Sequence, residues 1–351
     1  EYVLACHSIT IEADGNYLVA GRDNEHFRLS RWSPDGSRTA TYERDVDGDD
    51  RDYARSVISK DDGDVFLLGV SGDYRSYHNY RDHAVVRLNR DLVFEAEYKY
   101  DFGAGTNEFV HSSLALPDGK FLLIGYSMGG YGAVITAGGG VTQAAVDYAW
   151  GGPHGTLGVH LSGSDSHNAL PDPRIKTAIA FAPWGLTYGF WDAASLQGIQ
   201  IPMMFIAGSV DDVSGYEPGV KSIYQGAVNV DRAFLTFENA NHNAGAPMPP
   251  PAEGREVDAD LGFAPYDHYA DAVWENVRMN NISQHFATAW MDQYLKGDAD
   301  MGAYLDLVPN ANDSVWSANE DGTFKEEHTH WKGFANRTAK GLRYEVLKAA
   351  E

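Results

Sequence analysis

Six residues, Gly125-Tyr126-Ser127-Met128-Gly129-Gly130, constrain this chain more than any other stretch. They follow the apolar run 121–124 and precede a small-residue segment, 131–138. That order reads as strand, sharp turn and helix, with a serine at the turn. Such a turn is strained, and glycines on either side let strand and helix pack closely around the serine. The reading predicts Ser127 exposed above a sheet, with the Met128 amide aimed at a developing oxyanion.

Three later segments extend the same plan. The apolar runs 177–183, 203–207 and 233–237 are separated by helix-length intervals, as in a parallel sheet covered on both faces. Asp211 and Asp212 close the second run, and His242 lies just past the third. Open α/β sheets build their sites at these strand ends. A serine hydroxyl is a poor nucleophile until a neutral imidazole accepts its proton, and that imidazole needs a carboxylate on its other nitrogen. Ser127 is therefore the expected nucleophile, His242 the general base and then acid, and Asp211 the orienter. Asp212 is the rival for the last role, and the spacing G-x-x-D from Gly208 favours Asp211. Taken singly, each residue has a plainer reading as a turn serine, a solvated loop acid or one polar histidine among thirteen.

Residues 121 to about 300 resemble the catalytic half of the α/β-hydrolase superfamily, in its dienelactone hydrolase-like and cutinase/polyester hydrolase-like branch. The residues that carry the likeness are Gly125 to Gly130, Ala182-Pro183-Trp184, Gly208-Ser-Val-Asp211 and Asn241-His242. Ser, Asp, His is also the chain order of that superfamily. The resemblance implies a serine esterase working through an acyl-serine on a small-molecule or polymeric ester, with no cofactor and no metal. It also implies that the Met128 amide serves the oxyanion and that Trp184 and Tyr126 line the substrate cleft. For Trp184 a half-buried packing role stands beside that one.

Residues 1–120 contain no counterpart of the first half of such a sheet, nor of the glycine-marked loop that supplies a second oxyanion amide. They carry a repeat instead. Segments 7–21, 55–69 and 111–125 align on Asp-Gly turns, whose glycines at 15, 63 and 119 lie 48 and 56 residues apart. Companion strands follow at 27–36 and 84–91. Each unit reads as strand, turn, strand and second hairpin. The units resemble delta-60 type repeats of secreted bacterial proteins and suit propeller blades, although closing a propeller takes about four. The expected fold is thus an antiparallel, propeller-like β-repeat over 1–120, then an α/β-hydrolase-like sheet over 121–351. The third repeat shares its last strand with the serine turn. A second function remains open on this pattern: a β-repeat binding or scaffold protein with an inactive partial hydrolase domain.

The net charge of −23 argues against nucleic acid and anionic membrane surfaces as partners, and no apolar run approaches a membrane-spanning length. Such acidity is common in extracellular settings, and a secreted or periplasmic bacterial location is expected. The single cysteine, Cys6, permits no internal disulfide and reads as a small strand residue. The acidic run 45–52 reads as a solvated turn, with a calcium loop as the alternative. The histidines at 154, 160, 167, 328 and 330 lack zinc-site spacing and read as loop residues. Segment 151–172 reads as a long loop near the site, a candidate lid, and 246–252 as a stiff proline-rich stretch. Aromatic periodicity over 266–296 predicts a helix, and 333–347 a final strand.

Overall fold

The computed structural model describes residues 5–23, 26–46, 52–60, 62–71, 82–100, 114–115, 121–148, 153–245 and 252–350. The chain forms two units, one of residues 1–122 with 143–167 and one of residues 123–142 with 168–351.

The first unit contains two four-stranded antiparallel meanders, β1 (Ala5–Ile11), β2 (Tyr17–Asp23), β3 (His26–Trp32), β4 (Arg38–Arg44) and then β5 (Tyr53–Ser59), β6 (Val65–Ser71), β7 (Asp82–Leu88), β8 (Phe94–Tyr100). The repeat read from the sequence is repeated in register. The first pair of each meander shifts at equivalent places, between Cys6 and Ser8 and between Ala54 and Ser56. The last pair shifts between Arg31 and Trp32 and between Arg87 and Leu88. Alternate side chains point inward, as a two-residue strand period demands. Leu18, Ala20, Phe27 and Leu29 of one meander join Val57, Val65, Leu67, Val86 and Leu88 of the other in one buried core. Burying each such large side chain contributes about 1.5–3 kcal/mol. Arg31 pairs with Glu12 of its own meander at 2.6 Å and donates across to the Arg90 carbonyl of the other at 2.8 Å.

A third repeat begins at β9 (Leu114–Ala115), which pairs with the start of β10 (Phe121–Tyr126). Leu114 faces Leu122 and Ala115 faces Phe121, matching Thr10 with Leu18 and Ile11 with Tyr17 in the first repeat. One strand is therefore both the second strand of a repeat and the strand that leads into Ser127. Most of this repeat, residues 116–120 included, lies outside the described residues.

The second unit is built on a mixed sheet in the order β14-β13-β12-β11-β10, with β11 (Ile175–Phe181), β12 (Met203–Gly208), β13 (Arg232–Phe237) and β14 (Leu342–Leu347). β11, β12 and β13 are parallel, and the final strand β14 closes the edge antiparallel to β13. Every residue of β12 and β13 is buried. Their faces are covered from both sides. Tyr224 packs on Phe205 and Phe234, while Phe286 stacks on Tyr344 and Trp290 donates to Thr177 Oγ1 at 2.7 Å.

The helix expected over 266–296 is shorter than its periodicity suggested. It runs Asn276–Met291 and continues in a wider turn to Lys296. Trp274, Ile282, Phe286 and Trp290 are buried, whereas Val277 stays exposed and Ala272 sits in a preceding turn. The Glu275 side chain accepts from the Arg278 amide and so sets the helix start. Segment 153–172 is not a plain loop, since it contains helical turns at Pro153–His160 and Asp165–Asn168. Within the acidic run, Asp52 is buried and accepts from the Val46 amide, and 47–51 lie outside the described residues, as do 246–251. No helix among the described residues is long and apolar enough to cross a membrane.

Candidate active site

Ser127 sits between β10 and helix α1 (Met128–Thr136) with φ 56° and ψ −111°, a region that residues other than glycine rarely visit. Three backbone bonds hold it there. Its amide donates to the Phe181 carbonyl at 2.9 Å, and its carbonyl accepts from the Tyr131 amide at 2.9 Å and the Trp184 amide at 3.2 Å. The flanking glycines are required by contact. A Cβ on Gly125 would lie 1.9 Å from the Gly129 carbonyl oxygen, and one on Gly130 would lie 2.7 Å from that of Phe181. The Met128 amide stands at the first residue of α1, where no intrahelical acceptor exists.

Asp211 lies in the loop after β12. Its side chain is fully buried, and Oδ1 accepts from the amides of Val213 at 2.9 Å and Ser214 at 2.8 Å. Both carboxylate oxygens are 3.0 Å from His242 Nδ1. His242 Nε2 is in turn 3.0 Å from Ser127 Oγ. With the ring proton on Nδ1, the serine hydroxyl donates to Nε2. Positions 127, 211 and 242 thus form one hydrogen-bonded chain within the second unit. Asp212, the rival acid, is exposed and contacts neither imidazole nitrogen in this chain; it lines a cavity of about 530 Å³ beside His242.

The remaining predicted side chains are placed differently from one another. Tyr126 packs its ring 5.1 Å from the His242 ring, and its hydroxyl donates to the His242 carbonyl at 3.3 Å. Burial, then the charge of Asp211 and the neighbouring Tyr269, pushes its phenol well above the ordinary value, so it remains a neutral donor. Tyr126 also lines the cavity, together with Val213, Asn243, Asp267 and Tyr269. Trp184 is buried rather than half-buried, in an aromatic group with Tyr188 at 4.7 Å and Phe190 at 5.2 Å.

Two supporting residues, Ser214 and Asn243, escaped the sequence reading, and Asn241 entered it only through the likeness. Ser214 Oγ donates to the Ala182 carbonyl at 2.7 Å, tying the acid loop to the loop that holds the serine turn. Asn241 and Asn243 flank His242 and donate to the Ala270 carbonyl at 3.1 and 2.9 Å. A signal existed in the paired asparagines around the histidine, but their partner lies about 30 residues away. Among the described residues no group of three or more His, Cys, Asp or Glu side chains is arranged to hold a metal ion.

No known protein-family profile matches the chain, and no curated protein matches it. Solved structures do. One is a puromycin hydrolase S511A mutant complexed with PGG, at 12% identity, covering 68% of this chain and 50% of that one with a TM-score of 0.21. A second is a Mycobacterium tuberculosis puromycin-hydrolyzing peptidase, at 12% identity with the same coverage and a TM-score of 0.20. A third is the Porphyromonas gingivalis dipeptidyl peptidase 4, at 9% identity, covering 67% and 52% with a TM-score of 0.20. The chain spans about half the length of these structures. Its fold is read from its own meanders and its own sheet.

Proposed function

We propose that this chain is a serine hydrolase that cleaves carboxylic esters through an acyl-serine intermediate. The observation that carries the reading is the imidazole of His242, 3.0 Å from Ser127 Oγ on one side and 3.0 Å from Asp211 on the other. In the first half-reaction Ser127 Oγ attacks the acyl carbonyl carbon while its proton passes to His242 Nε2. Asp211, held by two amides, keeps the ring oriented and stabilises the imidazolium. The Met128 amide receives the oxyanion, a contact made only as charge develops. Collapse of the tetrahedral intermediate breaks the bond to the leaving alkoxide, which takes the proton from Nε2. Water then attacks the acyl-serine with His242 as base, releasing the acid and restoring the hydroxyl.

The cavity beside His242 lies next to the proton donor and suits the leaving group. Its carboxylates, Asp212 and Asp267, favour a neutral or cationic group there. The dienelactone or polyester class of substrate belongs to this proposal on the likeness of the serine, acid and histidine segments.

The test is turnover of p-nitrophenyl esters by the chain and by Ser127→Ala, together with labelling by a fluorophosphonate. The expected result is stoichiometric labelling at Ser127 and loss of most of the rate in the variant, with substrate affinity largely kept. Equal rates in the two proteins, or an unlabelled Ser127, would return the chain to the scaffold reading.

A further inference from the structure

Consecutive residues of the histidine loop are held by two aspartates that use the same turn. Asp211 Oδ1 accepts from the amides two and three residues ahead, Val213 and Ser214, while the carboxylate reaches His242. Asp271 repeats the pattern. Its Oδ1 accepts from the amides of Val273 at 2.8 Å and Trp274 at 2.7 Å, and its Oδ2 accepts from the Asn241 amide at 2.6 Å. Asn241 is the residue before His242. The Asp271 turn is itself anchored, because Trp274 Nε1 donates to the Glu238 carbonyl at 2.8 Å and the indole packs edge-on to Phe237 at the end of β13.

We propose that Asp271 is a positioning residue for the reaction, one that acts on His242 through the backbone of Asn241. This rests on the serine hydrolase reading above. A carboxylate has only acceptors, and here three amide donors converge on it. No donor group can replace it without turning against one of those amides. Charge-assisted bonds of this kind define where the loop backbone lies, and so how the imidazole is presented to Ser127. A displacement of the order of 1 Å at a reacting group costs roughly 10²-fold in rate.

The experiment compares Asp271→Asn with Asp258→Asn. Asp258 makes the same turn, accepting from Asp260 at 2.8 Å and Leu261 at 3.0 Å, yet it is exposed and has no bond to the histidine loop. Two readouts are taken at a temperature where thermal melts show both variants folded. One is the rate of fluorophosphonate labelling and of ester turnover, with kcat and KM separated. The other is the downfield proton resonance of His242 Nδ1–H, assigned by its absence in Asp211→Ala, which needs no turnover. The expected result for Asp271→Asn is a fall of about 10- to 100-fold in labelling and kcat at little-changed KM, with the resonance shifted or broadened. Asp258→Asn should keep both. An unchanged resonance and rate in Asp271→Asn would overturn the proposal, as would equal losses in the two variants, which mark a merely structural turn. Wild type that shows the resonance but no labelling or turnover overturns the hydrolase reading instead, and the resonance arm still decides the role of Asp271.

Discussion

A methyl group at position 208 would lie 2.2 Å from the Ala240 carbonyl oxygen and 2.3 Å from that of Asn241. The glycine in G-x-x-D is therefore where the acid loop crosses the histidine loop, and it brings Asp211 within reach of His242. Gly208→Ala should push the two loops apart and abolish most ester turnover, measured against a thermal melt that shows the variant still folded. A variant with full activity would mean that the contact is not needed. The two adjacent acids should separate sharply on substitution. Asp211→Asn leaves an amide facing the ring, favours the wrong tautomer and is expected to lower kcat by roughly 10⁴-fold. Asp212→Asn leaves the proton-transfer chain intact, so its rate with a neutral ester should stay close to wild type. Equal losses at the two positions would contradict the assignment of roles.

Four hairpins of the first unit close on the same turn, with a left-handed residue at its last position. Three of these are glycines, Gly15, Gly36 and Gly63, and the fourth is Leu92 at φ 61°. Leu92 is only 6% exposed and packs into the shared core, which explains why a leucine is kept in a conformation that costs about 1–2 kcal/mol. Leu92→Gly removes that strain but also the buried side chain, whose loss costs about 2–5 kcal/mol. Net destabilisation is expected in a denaturant titration, and a stabilised variant would show that strain outweighs packing there. In the second unit, the helix Asn276–Met291 places His285 against Phe286, Phe334 and Tyr304. Burial holds its pKa below the ordinary 6.5. The unfolded chain therefore takes up a proton that the folded one resists. The resulting stability is complete above 6.5 and is lost as pH falls through that value toward the folded pKa. His285→Phe should flatten this loss, read as thermal midpoints at roughly pH 5.5 and 7.5. An unchanged acid limb would assign the loss to other groups.

The whole molecule carries a net charge of −23, and the cavity beside His242 adds two carboxylates to its own lining. Field and cavity act in the same direction on a charged substrate. An anionic ester should show a lower kcat/KM than a neutral ester of the same size at low salt. The gap should narrow as the screening length falls to about 8 Å near physiological ionic strength. A gap that ignores salt would place the discrimination in shape rather than charge.

Much of this arrangement was legible along the chain because short-range chemistry dictates it. Asp-Gly turns between alternating apolar residues specified the meanders, and buried runs such as 203–207 specified central strands. The glycines around Ser127 marked a strained turn whose close contacts admit no Cβ. Local pattern failed where the deciding partner was distant. Periodicity alone ran the helix from 266, but the Asp271 turn and the Glu275 cap hold its start at 276. The burial of Trp184 and the grip of Asp271 on Asn241 depend on a residue 30 positions away or on packing across strands. The types and order of residues 127, 211 and 242 were set by sequence; their convergence within hydrogen-bonding distance was decided only by the sheet and loops that fold them together.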